Sequence, residues 1–173
     1  MTDLLIRRLE GRAEVEACAR MMAGSEPWLT LGRGEEACRA LMEDSGKERF
    51  VALANGVMVG LLVLDLRGAL AGYIQSVCVA PERRGAGIGT ALVRFAEARI
   101  FRESPNVFLC VSSFNPDARR LYERLGYTPV GELIDYLVAG HSELLFRKTI
   151  GPIGAFRSIA GGPVGTRATG PRP

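Results

Sequence analysis

Arg83-Arg84-Gly85-Ala86-Gly87-Ile88-Gly89-Thr90 places two cations and three glycines directly ahead of an apolar run. These residue types suit an anion. A helix start leaves several backbone N–H groups unpaired and carries the positive end of the helix dipole. Glycines let a phosphate approach that backbone, and arginines add charge-assisted contacts. The chemistry on offer is diphosphate binding; the plain structural alternative is a tight strand-to-helix connection. Two nucleotide motifs are excluded. No Gly-Lys-Ser/Thr ends the run, as a Walker A loop requires, and the spacing is GxGxG rather than GxGxxG. The four cysteines, Cys18, Cys38, Cys78 and Cys110, form no CxxC pair, and the only histidine is His141. A metal site is therefore not expected.

A diphosphate turn needs a strand before it and a helix after it. Gly72 to Ala80 reads as the strand. Ile88 to Phe101 reads as the helix, with Ile88, Leu92, Phe95, Ala96 and Ile100 on one face. A strand follows over Val107 to Val111, then a short helix over Asn115 to Leu125. There Asn115 suits the N-cap, Pro116 the first turn and Gly126 the stop. Upstream, Leu4 to Leu9 reads as a strand, and Arg12 to Ala23 and Glu35 to Glu43 as helices. Phe50 to Ala54 and Val57 to Leu66 form a hairpin about Asn55-Gly56. Tyr127 to Val138 and Ser142 to Ile150 read as two last strands. The order β-α-α-β-β-β-α-β-α-β-β predicts an α+β domain over residues 1–150, with helices flanking a mixed, mostly antiparallel sheet.

The chain has 173 residues, 47% of them hydrophobic and 24% charged, the composition of one globular domain. Its net charge is +3, and residues 151–173 contribute Arg157, Arg167 and Arg172 with no acid, so the remainder is balanced. That argues against a nucleic-acid partner. The stretch 151–173 is rich in Gly and Pro and is expected to be disordered. The N-terminus lacks a signal-peptide apolar core, and Asn55-Gly56 interrupts the most apolar stretch. The expectation is a cytoplasmic protein without membrane contact, a monomer or homodimer, its cysteines reduced and buried.

At two places the sequence resembles the GNAT N-acetyltransferase superfamily. Arg84-Gly85-Ala86-Gly87-Ile88-Gly89 fits the family's Arg/Gln-x-x-Gly-x-Gly/Ala signature, between a strand and a helix. Asn115, Ala118, Tyr122, Gly126 and Tyr127 fill a second pattern, Asn-x-x-Ala-x-x-x-Tyr-x-x-x-Gly-Phe/Tyr. The resemblance spans residues 4–150 and implies the GNAT-like acyl-CoA N-acyltransferase fold. It also implies acetyl-CoA as cosubstrate, no metal, and direct transfer of acetyl to a primary amine of a small molecule or peptide. By the same resemblance, Val77, Cys78 and Val79 would border the pantetheine arm, with a backbone N–H near Val79 polarising the thioester carbonyl. Arg84, Gly85, Ala86, Gly87, Ile88, Gly89 and Thr90 would hold the diphosphate. Asn115 would stand near the pantetheine, and Tyr122 would both touch the cosubstrate and protonate the leaving thiolate.

The general base has no obvious bearer. Relatives often carry Glu where Gln75 stands, and an amide takes no proton. His141, Glu132, Asp135 and Glu143 surround the turn between the last two strands, without a choice among them. Trp28, Leu29 and Leu31 are expected to wall the acceptor pocket or pack the core. Gln75 motivates a rival reading, an acyl-CoA-binding regulatory module without turnover.

Overall fold

A computed structural model describes residues 4–158 of the chain. Seven strands form one sheet: β1 (Leu4–Arg8), β2 (Glu48–Ala54), β3 (Val57–Asp65), β4 (Tyr73–Val79), β5 (Asn106–Ser112), β6 (Thr128–Ile134) and β7 (Ser142–Thr149). Four helices accompany them: α1 (Gly11–Ala23), α2 (Glu35–Glu43), α3 (Ile88–Ile100) and α4 (Pro116–Arg124). Element order and fold class are those the sequence predicts. In the sheet the order is β1-β2-β3-β4-β5-β7-β6. Every neighbouring pair is antiparallel except β4 and β5, which run parallel.

Side-chain alternation along the strands divides the interior in two. Phe50, Leu62, Leu64 and Ile74 face α3 and α4, where they meet Leu92, Ala96, Ile100 and Tyr122. Val51, Leu61, Val63 and Cys78 face α1 and α2, where they meet Cys18, Met22, Cys38 and Met42. The β2–β3 turn is the two-residue type the sequence signals, with φ of 50° at Asn55 and 79° at Gly56. Arg99 on α3 clamps Glu48 of β2 through two hydrogen bonds of 2.9 and 2.7 Å. This fork-to-fork geometry fixes the angle of the helix on the sheet.

The decisive feature is the seam between β4 and β5. The two strands share a single register pair, Tyr73 with Phe108, and then part. At the apex, Gly72 has φ of 94°, and a Cβ there would lie 2.4 Å from the Asn106 carbonyl oxygen and 2.7 Å from Ile100 Cγ2. Only glycine lets the strands meet so closely before diverging. The register of β3 against β4 also slips between Val63 and Leu64, which leaves Gln75 as the extra residue of a bulge.

Three expectations change. The strand predicted over Tyr127 to Val138 stops at Ile134, because Asp135 turns into the left-handed region (φ 52°). Its Oδ1 accepts from Gly140 N at 2.6 Å and its own N–H donates to the His141 carbonyl, closing a tight loop. The turn expected by resemblance after the strand end at Val77–Glu82 is a single 3-10 turn over Pro81–Arg83. The cysteines are free, as expected, but Cys110 is only half-buried. Residues 151–158 are not structureless: Ile153–Ala155 makes one turn, and Ser158 Oγ donates to the Arg102 carbonyl at 3.1 Å. The rest of the stretch expected to be disordered, 159–173, lies outside the described residues. No described helix is long and apolar enough to cross a membrane.

Candidate active site

The parting of β4 from β5 leaves an internal strand edge without a partner among the described residues. Ala80 N donates to the Val59 carbonyl at 3.0 Å. Pairing with β3 therefore falls on every second residue, and the alternate residues Val77 and Val79 present their N–H and C=O groups to the gap. The Val79 carbonyl accepts Arg84 Nε at 3.5 Å, which leaves its N–H available. Cys78 borders the same cleft, but its thiol is turned into the opposite core toward the Met21 carbonyl. Burial pushes that thiol up to about 11, so it is no nucleophile at neutral pH.

Below the gap the glycine-rich turn leads into α3. The first helical bond is Ala91 N to the Gly87 carbonyl, and no side chain caps the helix. No backbone N–H from Gly85 through Thr90 donates to any described residue. Unpaired amides at a helix start suit an anion, and all of these residues but Ala86 line one cleft. Gly85 and Gly87 are required for their φ of 76° and 81° rather than for space, since a Cβ at either would meet nothing within 4 Å. Gly89 is the one pressed by neighbours, with Leu121 Cδ2 3.4 Å from an added Cβ. Arg84, Gly85, Gly87, Ile88, Gly89 and Thr90 all line this cleft of about 530 Å³, whereas Ala86 is exposed and stands outside it. Arg83 and Arg124 join Arg84 around it. Arg124 lies 40 residues further along the chain, at the end of α4, and no local pattern announced it.

A second cavity, of about 450 Å³, opens on the other side of the gap. Its walls are Trp28, Leu31, Leu41, Leu70, Tyr136 and Leu137, with Arg33, Arg67, Asp65 and Glu143 as charged members. Trp28 is at once wall and core, with 6% of its surface exposed, whereas Leu29 points to solvent. Gln75 lines this cavity, and its Oε1 is buried without a hydrogen-bond partner among the described residues. Glu132, Asp135 and His141 do not line it. His141 stacks edge-on against Phe114 instead, with ring centroids 4.9 Å apart.

The two cavities share Val77, Asn115, Ala118 and Tyr122. Asn115 caps α4 as its type predicts, its Oδ1 accepting from Ala118 N at 3.1 Å. That cap aims α4 so that Tyr122, two turns on, reaches the junction. The Tyr122 ring packs edge-on against Tyr127 at 5.7 Å, while its hydroxyl bonds to no described residue. Burial pushes the phenol up to about 12, so it holds its proton throughout the physiological range.

The chain's residues 5–127 match the family model described as Acetyltransferase (GNAT) family. Over 79 residues it is 38% identical to "Acetyltransferase Atu2258" of Agrobacterium fabrum, a match spanning 46% of this chain and 56% of that relative. Among solved structures, a GNAT-family protein from Desulfovibrio desulfuricans superposes with a TM-score of 0.74 at 20% identity, covering 86% of this chain and all of that one. Spermidine N-acetyltransferase from Vibrio cholerae, solved with CoA and spermine, gives 0.66 at 22% identity, covering 84% and 95%. With an open α+β sheet of the same architecture and a family match across most of the described residues, the chain belongs to the acetyltransferase (GNAT) family.

Proposed function

We propose that the protein transfers acetyl from acetyl-CoA directly to a primary amine of a small-molecule or peptide acceptor, both substrates being bound together. The observation that carries this reading is the junction at Tyr122. One cavity there has phosphate-binding features, the other is a substrate-sized pocket, and one proton donor touches both. The cradle fits the cosubstrate: Gly85 to Thr90 would hold its diphosphate with Arg83, Arg84 and Arg124 around it. The free edge at Val77 and Val79 would pair with its amide-bearing arm as an added strand does. Bound there, acetyl-CoA supplies an activated acetyl group. The Val79 N–H is the donor available to the thioester oxygen, and Tyr122 Oη gives its proton to the departing sulfur.

The acceptor pocket narrows the amine. Its four charged side chains balance, two acids against two arginines, and apolar and aromatic residues share the wall with polar ones. This favours a mono-ammonium with an apolar body over a polycation. Incubating the protein with acetyl-CoA and a panel of primary amines, and following release of free thiol, tests the reading. Phenethylamine-like and hydrophobic N-terminal peptide amines are expected to outrun spermidine. Acetyl-CoA binding without transfer to any amine would leave only the binding-module reading.

A further inference from the structure

Glu143 is the one buried carboxyl in the acceptor cavity, with 5% of its surface exposed. It sits opposite Ser112 in the β5–β7 ladder, and Ser112 Oγ donates to its Oε1 at 2.5 Å. Its Oε2 accepts from no described residue. An accessible carboxylate oxygen on a largely buried residue, with no protein donor, is open to a donor from a ligand in the cavity. A primary ammonium carries three such donors. We propose that Glu143 seats the ammonium of the acceptor through Oε2 and takes its first proton.

The inference rests on the transferase reading and deepens it. Acetylating an ammonium removes two protons from nitrogen and adds one to sulfur. Glu143 Oε2 takes the first: the N–H bond breaks, an O–H bond forms, and the freed lone pair is the nucleophile. Glu143 then passes that proton to solvent. The second proton leaves nitrogen as the amide forms and restores Tyr122, whose own proton has gone to sulfur. The groups facing Glu143 are Ser112 and Cys110 on β5, Tyr73 on β4 and Arg33 ahead of α2, while its register partner on β6 is Leu133. Desolvation raises the carboxyl above its usual range, against weaker opposing pulls from the Ser112 hydrogen bond and Arg33. A raised carboxyl is the better base near neutrality.

The test uses the full chain labelled with carboxyl-¹³C glutamate, with Glu143→Gln identifying the resonance. Phenethylammonium, n-butylammonium and alanyl-glycinamide serve as probes. The Glu143 signal is expected to titrate above 4.5 and to move down when a probe binds. Probe affinity should fall at least tenfold in Glu143→Gln, with acetyl-CoA affinity unchanged. Turnover of a reactive probe should fall about 10²-fold at pH 7 and recover as pH approaches the amine's own pKa. Ser112→Ala, which removes only a donor to the carboxylate, should move the acidic limb of the rate profile upward. A carboxyl indifferent to all three probes, or a Glu143→Gln variant that acetylates them at the wild-type rate, overturns the proposal. Failure of acetyl-CoA to bind sinks the transferase reading instead, and the carboxyl titration still rules on the ammonium seat.

Discussion

Tyr122→Phe separates chemistry from architecture because the two respond differently. The hydroxyl makes no hydrogen bond to a described residue, and the ring keeps its edge-on contact with Tyr127 when the oxygen goes. The melting transition should therefore stay within about 1 kcal/mol of wild type. Turnover should not. With the phenol pushed up to about 12 and an ordinary thiol near ~8.5, complete transfer of the proton to a solvated thiolate would be uphill by about 5 kcal/mol. On the proposed reading the departing sulfur would sit at the same junction, where burial would raise its value too, and ordinary values differ by only about 2 kcal/mol. The proton thus moves as charge builds on sulfur rather than ahead of it. Removing it should cost roughly 10²–10⁴-fold in kcat. The assay pairs steady-state thiol release with calorimetric titration of acetyl-CoA, whose Kd should not change. No descending limb of kcat from this group is expected below pH ~11. Wild-type turnover in Tyr122→Phe refutes the acid role.

Gly87→Ala should lower stability by roughly 1 kcal/mol and weaken acetyl-CoA binding, since φ of 81° suits no side chain and the loop amides must turn to relieve it. Gly34→Ala, where φ is −69° and nothing stands within 4 Å, is the calorimetric control and should leave affinity intact. Asn115→Ala loses the cap to Ala118 N and should cost about 1 kcal/mol in a denaturant titration. Glu143→Gln should unfold like wild type well below pH 4.5, where the acid is protonated in both folded and unfolded chains. As pH rises through the higher folded-state value the wild type loses stability that the glutamine keeps, so the variant should melt higher at neutral pH.

Elements whose ends are set by local chemistry were legible in the sequence. Glu35–Glu43 begins and ends where expected, and Asn115, Pro116 and Gly126 bracket α4. The Asn55-Gly56 hairpin needed only its two turn residues. The overrun of β6 came from Asp135, whose left-handed backbone depends on a loop hydrogen bond that no pattern of apolar residues reveals. Within the candidate site, the glycine turn came from spacing along the chain, and Tyr122 from the resemblance to the family. Arg124 and Glu143 gain their meaning only from tertiary neighbours. Three acids near the last turn were indistinguishable by type, and burial singles out Glu143. The bulge at Gln75 is a matter of register, which a single strand does not encode.

The fork between β4 and β5 has a thermodynamic consequence. Held open at Gly72, it leaves an interior row of amides that no other described strand satisfies. A molecule that pairs with that row binds the native state and not the unfolded chain, so its concentration enters the folding equilibrium directly. Free acetyl-CoA at a hundred times its Kd adds about 2.7 kcal/mol. Resistance to heat and to proteases should therefore follow the supply of the acetyl donor, which makes the melting temperature a gauge of that supply even before an acceptor is known.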